Sequence, residues 1–195
     1  GKNVALITDA GMPGIQDPGI EIIQKMIQAG RDFEVLPGAS AVLPAVVYSG
    51  FSLNGYLFLG FLPKTGRGRK QKLEKSLFLP QSVVFYESPK RILATLQEIE
   101  MITGKERRAV LCRELTKFHQ EIIRGTLGEI FNTLFTRKTI QGEIVLVVEG
   151  INRIDQTIPN YVLKCIRYLL DTNHTEKDII QLVSAVFDLK KNEVK

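Results

Sequence analysis

Apolar and polar positions along the chain fall into short alternating blocks. Residues 4–7 are apolar, residues 9–19 are rich in glycine, proline and aspartate, and Ile22, Ile23, Met26 and Ile27 then recur at helical spacing. That order predicts a strand, a tight loop and a helix. Residues 33–36 read as a second short strand, followed by a turn at 37–40 in which Ser40 is a candidate cap. Residues 41–48 are almost wholly apolar, which predicts a buried helix with Pro44 tolerated in its first turn. The Gly-containing stretch 50–55 breaks the pattern and places a domain boundary there.

The second half repeats the alternation. Residues 56–61 read as a strand, 63–69 as a basic loop and 70–79 as a helix. Residues 82–86 are a strong strand signal ended by Glu87, Ser88 and Pro89, with Ser88 as candidate cap of a helix over 90–103 that Gly104 stops. Strands are predicted at 109–112, 121–124 and 143–149, and Gly125 and Thr126 open a helix that runs to Phe135. Strands alternating with helices predict an α/β fold with some antiparallel pairing. After Gly150 the character changes. Residues 152–159 are linker-like, 161–170 and 176–187 are amphipathic helices, and the second opens on a capping-box-like Thr175, Glu176, Lys177, Asp178. Residues 190–195 look like the start of a third helix. The domain reading is 1–53, 54–150 and 151–195.

Composition narrows the class without naming a function. With 195 residues, 44% hydrophobic and 24% charged, the chain has the makings of an ordinary globular core. No apolar run reaches the roughly 18 residues of a membrane span. Residues 1–3 run straight into a strand-like segment, so no leader is expected, and Cys112 and Cys165 fit a reducing cytoplasm. Neither cysteine sits at metal spacing with His119 or His174, so no metal site is expected. The net charge of +5 is concentrated in one window, where Lys64, Arg67, Arg69, Lys70, Lys72 and Lys75 face only Glu74. A basic patch on a neutral body points to a polyanion.

The loop at 9–19 is the chemically distinctive stretch. Gly11, Gly14 and Gly19 allow close backbone approach, and Pro13 and Pro18 stiffen it. It lacks the lysine of a phosphate loop and the spacing of a dinucleotide fingerprint. Its carboxylates, Asp9 and Asp17, favour a ligand with hydroxyls, amines or a cationic centre.

Seven stretches carry a family resemblance in order: residues 9–19, 37–41, 60–63, Phe85-Tyr86-Glu87-Ser88-Pro89-Lys90-Arg91, Arg113-Glu114-Leu115-Thr116-Lys117, 124–127 and 142–145. Over residues 4–150 the chain resembles the tetrapyrrole methylase superfamily, and within it the bacterial enzymes that methylate a cytidine ribose 2′-hydroxyl in 16S rRNA. Met12, Gln16, Ala39 and Lys90 stand where that family usually has Thr, Ser, Pro and His. Its first strand and glycine loop have no counterpart, so the chain looks amino-terminally truncated. The resemblance implies two α/β domains of the tetrapyrrole methylase type with a small C-terminal helical extension. It implies S-adenosyl-L-methionine as cofactor, held by Asp9, Ala10, Gly11, Met12, Pro13, Ser40, Ala41, Tyr86, Glu87, Leu115 and Glu143. The carboxylates nearest the matched loops, Asp17, Glu87 and Glu114, are the candidate general bases, with no choice among them. Lys64, Arg67, Arg69, Lys70, Lys90, Arg91 and Lys117 are the candidate RNA phosphate contacts. The implied partners are 16S rRNA or the small ribosomal subunit, and a second copy in a cytoplasmic homodimer. Two other readings are a tetrapyrrole or corrin ring methyltransferase and a non-catalytic RNA-binding module.

Overall fold

The computed structural model describes residues 4–9, 11–51, 55–151, 160–172, 174–187 and 194. By packing, the chain divides into two compact units, Gly1–Gly150 and Ile151–Lys195. Ala10, the linker-like 152–159 and all of the third-helix stretch except Val194 lie outside the described residues.

In the first unit, helices α1 (Ile20–Gln28) and α2 (Val42–Ser49) precede a five-stranded mixed sheet. Its strands are β1 (Tyr56–Phe61), β2 (Ser82–Glu87), β3 (Arg108–Arg113), β4 (Glu121–Thr126) and β5 (Ile144–Val148). They lie in the order β1-β2-β5-β3-β4. β1 and β2 are parallel and the other pairs are antiparallel. Helices α3 (Arg67–Ser76), α4 (Ile92–Thr103) and α5 (Leu127–Phe135) connect them.

Strand alternation divides the core between the two faces of the sheet. Val83, Phe85, Ala109, Leu111, Ile144, Leu146 and Val148 face the three helices, meeting Leu73, Leu96 and Ile130. Val84, Val110, Cys112, Val145 and Val147 face the other way and meet Val42, Ala45 and Val46 of α2. Covered on both faces, β5 carries the unbroken run Ile-Val-Leu-Val-Val, every residue of it buried. Thr126 caps α5 in a capping box with Glu129, as the sequence at that turn allows.

Four local expectations are corrected. Residues 4–7 and 33–36 pair with no strand among the described residues, so neither is a β-strand. An isolated apolar run without ladder partners stays solvated, and Val4 is 94% and Leu36 72% exposed. The residue before α2 is Ala41 rather than Ser40, and it makes no side-chain cap. Ser88 likewise contributes its carbonyl, not its hydroxyl, accepting from Arg91 and Ile92 amides at 3.0 Å each. Pro89 therefore belongs to a turn that precedes α4. α3 begins at Arg67, three residues ahead of the expected start, directly after Gly66 at φ 91°.

The second unit is a helix pair, α6 (Asn160–Asp171) and α7 (Glu176–Phe187), closed over Val162, Ile179 and Val183. Thr175 Oγ1 accepts from the Asp178 amide and donates to the Asp178 carboxylate, the cap foreseen from the sequence. Among the described residues no helix is long and apolar enough to cross a membrane.

Candidate cofactor and RNA site

The carboxyl ends of the parallel strands β1 and β2 lie beside the start of β5 and the end of β3. Tyr86 is opposite Val145, and Ile144 is opposite both Glu87 and Arg113. Ligands in open α/β sheets bind at such an end. Tyr86 emerges there on the α2 face, half-buried, its ring edge-on to Phe58 at 5.1 Å and tilted against Phe61 at 5.3 Å. Burial raises its hydroxyl pKa, and the charges of Asp17 and Glu143 raise it further. At neutral pH Tyr86 is therefore a hydrogen-bond donor flanked by two carboxylates.

The glycine- and proline-rich loop is fastened to this edge. Gln16 Oε1 accepts from the Phe61 amide at 3.1 Å, with Gln16 in a left-handed conformation at φ 64°. Gly60 sits under that side chain at φ 64°, and any Cβ there would collide with Gln16. At the loop's other end, a Cβ on Gly38 would lie 2.9 Å from Met12 Sδ, and one on Gly11 3.6 Å from the Ala39 carbonyl. Met12, Pro13, Ser40 and Ala41 thus belong to two segments in contact. Among the described residues, the amides from Phe33 to Ala41 donate no hydrogen bond. Asp9 and Asp17 likewise make no hydrogen bond or ion pair there.

The third wall is the turn after β3. Glu114 and Thr116 both have positive φ, 49° and 65°. Glu114 Oε1 accepts from the Glu143 amide at 2.8 Å and from Lys117 Nζ at 3.1 Å, while Lys117 also meets Glu143 Oε2 at 3.0 Å. These bonds hold the Glu114 carboxyl below the usual range, the Glu143 amide contributing most. Non-glycine residues at positive φ persist where surroundings fix them, and they cluster at working sites. Leu115 is buried in the α2-side core behind this turn.

Two groups of expected site residues go elsewhere. Glu87 alternates with Tyr86, so it points to the opposite face, where its carboxylate is fully buried. It accepts from the Ser88 amide at 2.8 Å, Arg91 Nε at 2.7 Å and Thr95 Oγ1 at 2.8 Å. That placement corrects both expectations for it, since a carboxylate so enclosed reaches neither a cofactor beside Tyr86 nor an incoming hydroxyl. Arg69 and Arg91 are also corrected as phosphate contacts. Arg69 is 7% exposed and spends its donors on Glu98, Pro63 and Thr95. Arg91 is committed to Glu87 and to the Leu62 carbonyl. Lys117 is held between two carboxylates. Lys64, Arg67, Lys70 and Lys90 remain exposed.

Sequence reasoning missed Gln16, Phe58, Phe61, Thr95 and Glu98. Arg91, Thr95 and Glu98 follow i, i+4, i+7 spacing, the one signal that could have shown a shared helix face.

Comparison with known proteins follows the same outline. Residues 1–130 match the tetrapyrrole (corrin/porphyrin) methylases. The chain is 41% identical over 150 residues to the ribosomal RNA small subunit methyltransferase I of Halalkalibacterium halodurans, covering 77% of this chain and 51% of that protein. It is 35% identical over 195 residues to the Haemophilus influenzae protein of the same name, covering 98% and 69%. Among solved structures it is similar in fold to the methyltransferase CobJ, with a TM-score of 0.55 at 18% identity, covering 76% and 64%. The chain spans about half the length of several curated relatives it matches.

Proposed function

The chain belongs to the tetrapyrrole methylase family, and on that premise we propose that it is part of an S-adenosyl-L-methionine-dependent methyltransferase. Its target is the ribose 2′-hydroxyl of a cytidine in 16S rRNA. The observation that carries this reading is the 35–41% identity to proteins named ribosomal RNA small subunit methyltransferase I. It extends through the loops that converge beside Tyr86.

The groups present suit the cofactor. Amides of the 33–41 segment, which donate no hydrogen bond among the described residues, can meet carboxylate and hydroxyl oxygens, and the Phe58, Phe61 and Tyr86 rings offer apolar surface to a base. Asp9, Asp17 and Glu143 suit an amine and a sulfonium centre. When bound, the cofactor supplies a methyl group already activated for transfer. The chain's share is then positioning, which alone accounts for a large part of the rate. Gly11, Met12, Pro13, Ser40 and Ala41 form the methionine side, and Leu115 backs the turn that carries Glu114.

Of the three candidate bases, Asp17 is the one we assign. Glu87 is enclosed on the far face, and Glu114 is committed to Lys117 and the Glu143 amide. Asp17 carries a charge felt by Tyr86 and makes no hydrogen bond or ion pair among the described residues, which supports giving it the proton of an incoming hydroxyl. RNA phosphates meet Lys64, Arg67, Lys70 and Lys90, and the protein works in the cytoplasm on rRNA or the small subunit. We also infer a homodimer that covers Leu43 and Val47, which α2 leaves exposed; a monomeric mass for the full-length protein at micromolar concentration would overturn it. The main reading is tested by mass mapping of 16S rRNA from cells with and without the gene. One ribose methyl on a cytidine should disappear, and an unchanged methylation map refutes the assignment.

A further inference from the structure

Three cations in and beside the basic window turn inward, and all three hold carbonyl oxygens of one segment. Lys72 Nζ donates to Leu59 at 2.8 Å, Arg91 Nη1 to Leu62 at 3.4 Å and Arg69 Nη1 to Pro63 at 3.1 Å. The segment is irregular for a reason visible in the ladder. Phe58 pairs with Val84 and Phe61 with Tyr86, so the register shifts across Leu59 and Gly60, and Gly60 has φ 64°. A bulge of this kind frees carbonyls from the sheet and re-aims the strand end. At that shift the Leu59 carbonyl accepts from a lysine.

Behind the three cations lies a closed polar network. Thr95 Oγ1 accepts from Arg69 Nη2 at 2.7 Å and donates to Glu87 Oε2 at 2.8 Å. Arg69 Nε donates to Glu98 at 2.6 Å, and Glu87 binds Arg91. Stability alone does not explain such a network, since well-packed apolar residues of similar volume commonly do as well or better. Its location is more informative. It joins α3, α4 and the ends of β1 and β2 at one point, directly behind Tyr86.

We propose that this network is a positioning device for the RNA-binding loop. It fixes the irregular end of β1, and so fixes where Lys64 and Arg67 stand relative to Tyr86 on the other face. Glu87 and Thr95 are positioning residues that touch neither RNA nor cofactor. The inference rests on the RNA reading above and adds to it the reason that Arg69 and Lys72, two of the six cations of the basic window, turn inward.

The test uses the full-length protein, small-subunit rRNA, and the variants Thr95→Val, Arg69→Lys and Glu87→Gln. Thr95→Val keeps shape and charge, and is expected to raise KM for RNA about tenfold with kcat and cofactor affinity unchanged. Arg69→Lys keeps the charge but loses the fork, so it should weaken RNA binding although a plain phosphate contact would survive it. Glu87→Gln removes a negative charge, which by long-range electrostatics should strengthen binding to a polyanion; positioning predicts weaker binding. Amide exchange supplies a readout independent of RNA. Residues 59–67 should exchange faster in Thr95→Val while β3 and α5 stay protected. Unchanged RNA affinity in Thr95→Val, or tighter binding in Glu87→Gln, overturns the proposal. If Glu87→Gln fails to fold, Thr95→Val decides alone. If the unaltered protein binds no rRNA, the functional reading falls and the inference with it, while exchange at 59–67 still reports whether the network holds the segment.

Discussion

Residues 4–41 and residues 56–150 are alike in apolar content along their strand-like runs, yet the runs meet opposite fates. In the later region each run finds neighbours. β2 and β5 are paired on both sides and are buried almost throughout. In the earlier region the runs at 4–7 and 33–36 have no ladder among the described residues, and α1 buries none of its residues. The difference shows that β-propensity is a statement about packing against neighbours rather than about the backbone. It also separates two jobs. The sheet and its helices hold the buried core of the unit, while the earlier segment is largely exposed and is tied to the end of β1 through Gln16.

The largest expected effect tests that division directly. Phe85 is fully buried between the sheet and its helices, so Phe85→Ala should cost about 3–5 kcal/mol. Val35 is 61% exposed, so Val35→Ala should change stability by less than about 0.5 kcal/mol. Urea denaturation of both variants checks the pair. Similar losses would mean that the earlier segment is part of the cooperative core, and the comparison would fail.

The converse should hold for ligand chemistry. Gly11 has φ +82°, a conformation that β-branched residues strongly disfavour. In the full-length protein Gly11→Val should push the loop off the 38–39 segment and weaken cofactor binding by about a hundredfold or more, with the melting temperature almost unchanged. Calorimetric titration beside a thermal melt separates the two. Retained affinity would remove the loop from the cofactor site.

Within the later region the basic window draws the same line at closer range. Lys64, Arg67 and Lys70 face solvent, whereas Arg69 and Lys72 are struts for the chain itself. Neutralising Lys64, Arg67 and Lys70 together should lower the log–log salt slope of RNA binding by about two to three units, at roughly 0.7–0.9 per lost contact. A slope unchanged by this triple variant would make the window a solvated surface.

What could be read from the sequence follows from the same physics. The alternation of β1 to β5 with α3 to α5 was legible because each run is long, periodic and bounded by turn residues. The loop at 9–19 was legible as a loop because glycine and proline punctuate it between an apolar run and the helical spacing of α1. The absence of ladders at 4–7 and 33–36 was not legible, because propensity carries no information on whether a partner strand is present. Glu87, Arg69 and Arg91 were misread because a charged side chain is ordinarily solvated. What ties Arg69 and Glu87 into the interior is Thr95, which accepts from Arg69, 26 residues away in sequence, and donates to Glu87. No local pattern announces it. Gln16 was noted only as a departure from the family, yet its side chain ties the loop to β1.

The smallest effect concerns a surface ion cluster that belongs wholly to the later region. Glu121 on β4 bonds Arg137 Nη1 at 2.8 Å and Nη2 at 2.6 Å, and Arg113 Nε at 3.0 Å. The Arg137 pair, opposed in part by burial and helped by Arg113, pulls its carboxyl down to about 2 from an ordinary 4.5. A carboxyl depressed in the folded state binds its proton more weakly there than in the unfolded chain. Its contribution is therefore complete above the unfolded value and is lost as pH falls from about 4.5 toward 2. Partial exposure screens the pair, so the amount at neutral pH should be about 1–2 kcal/mol. Glu121→Gln should remove it, lowering stability at pH 7 but converging with the unaltered chain near pH 2. Denaturation at both pH values measures the difference. The same substitution should leave RNA and cofactor affinity untouched, because the cluster ties β3 and β4 to the segment after α5 and includes none of the residues assigned to either ligand. A difference that persists at pH 2 would mean that Glu121 acts through packing rather than through its charge.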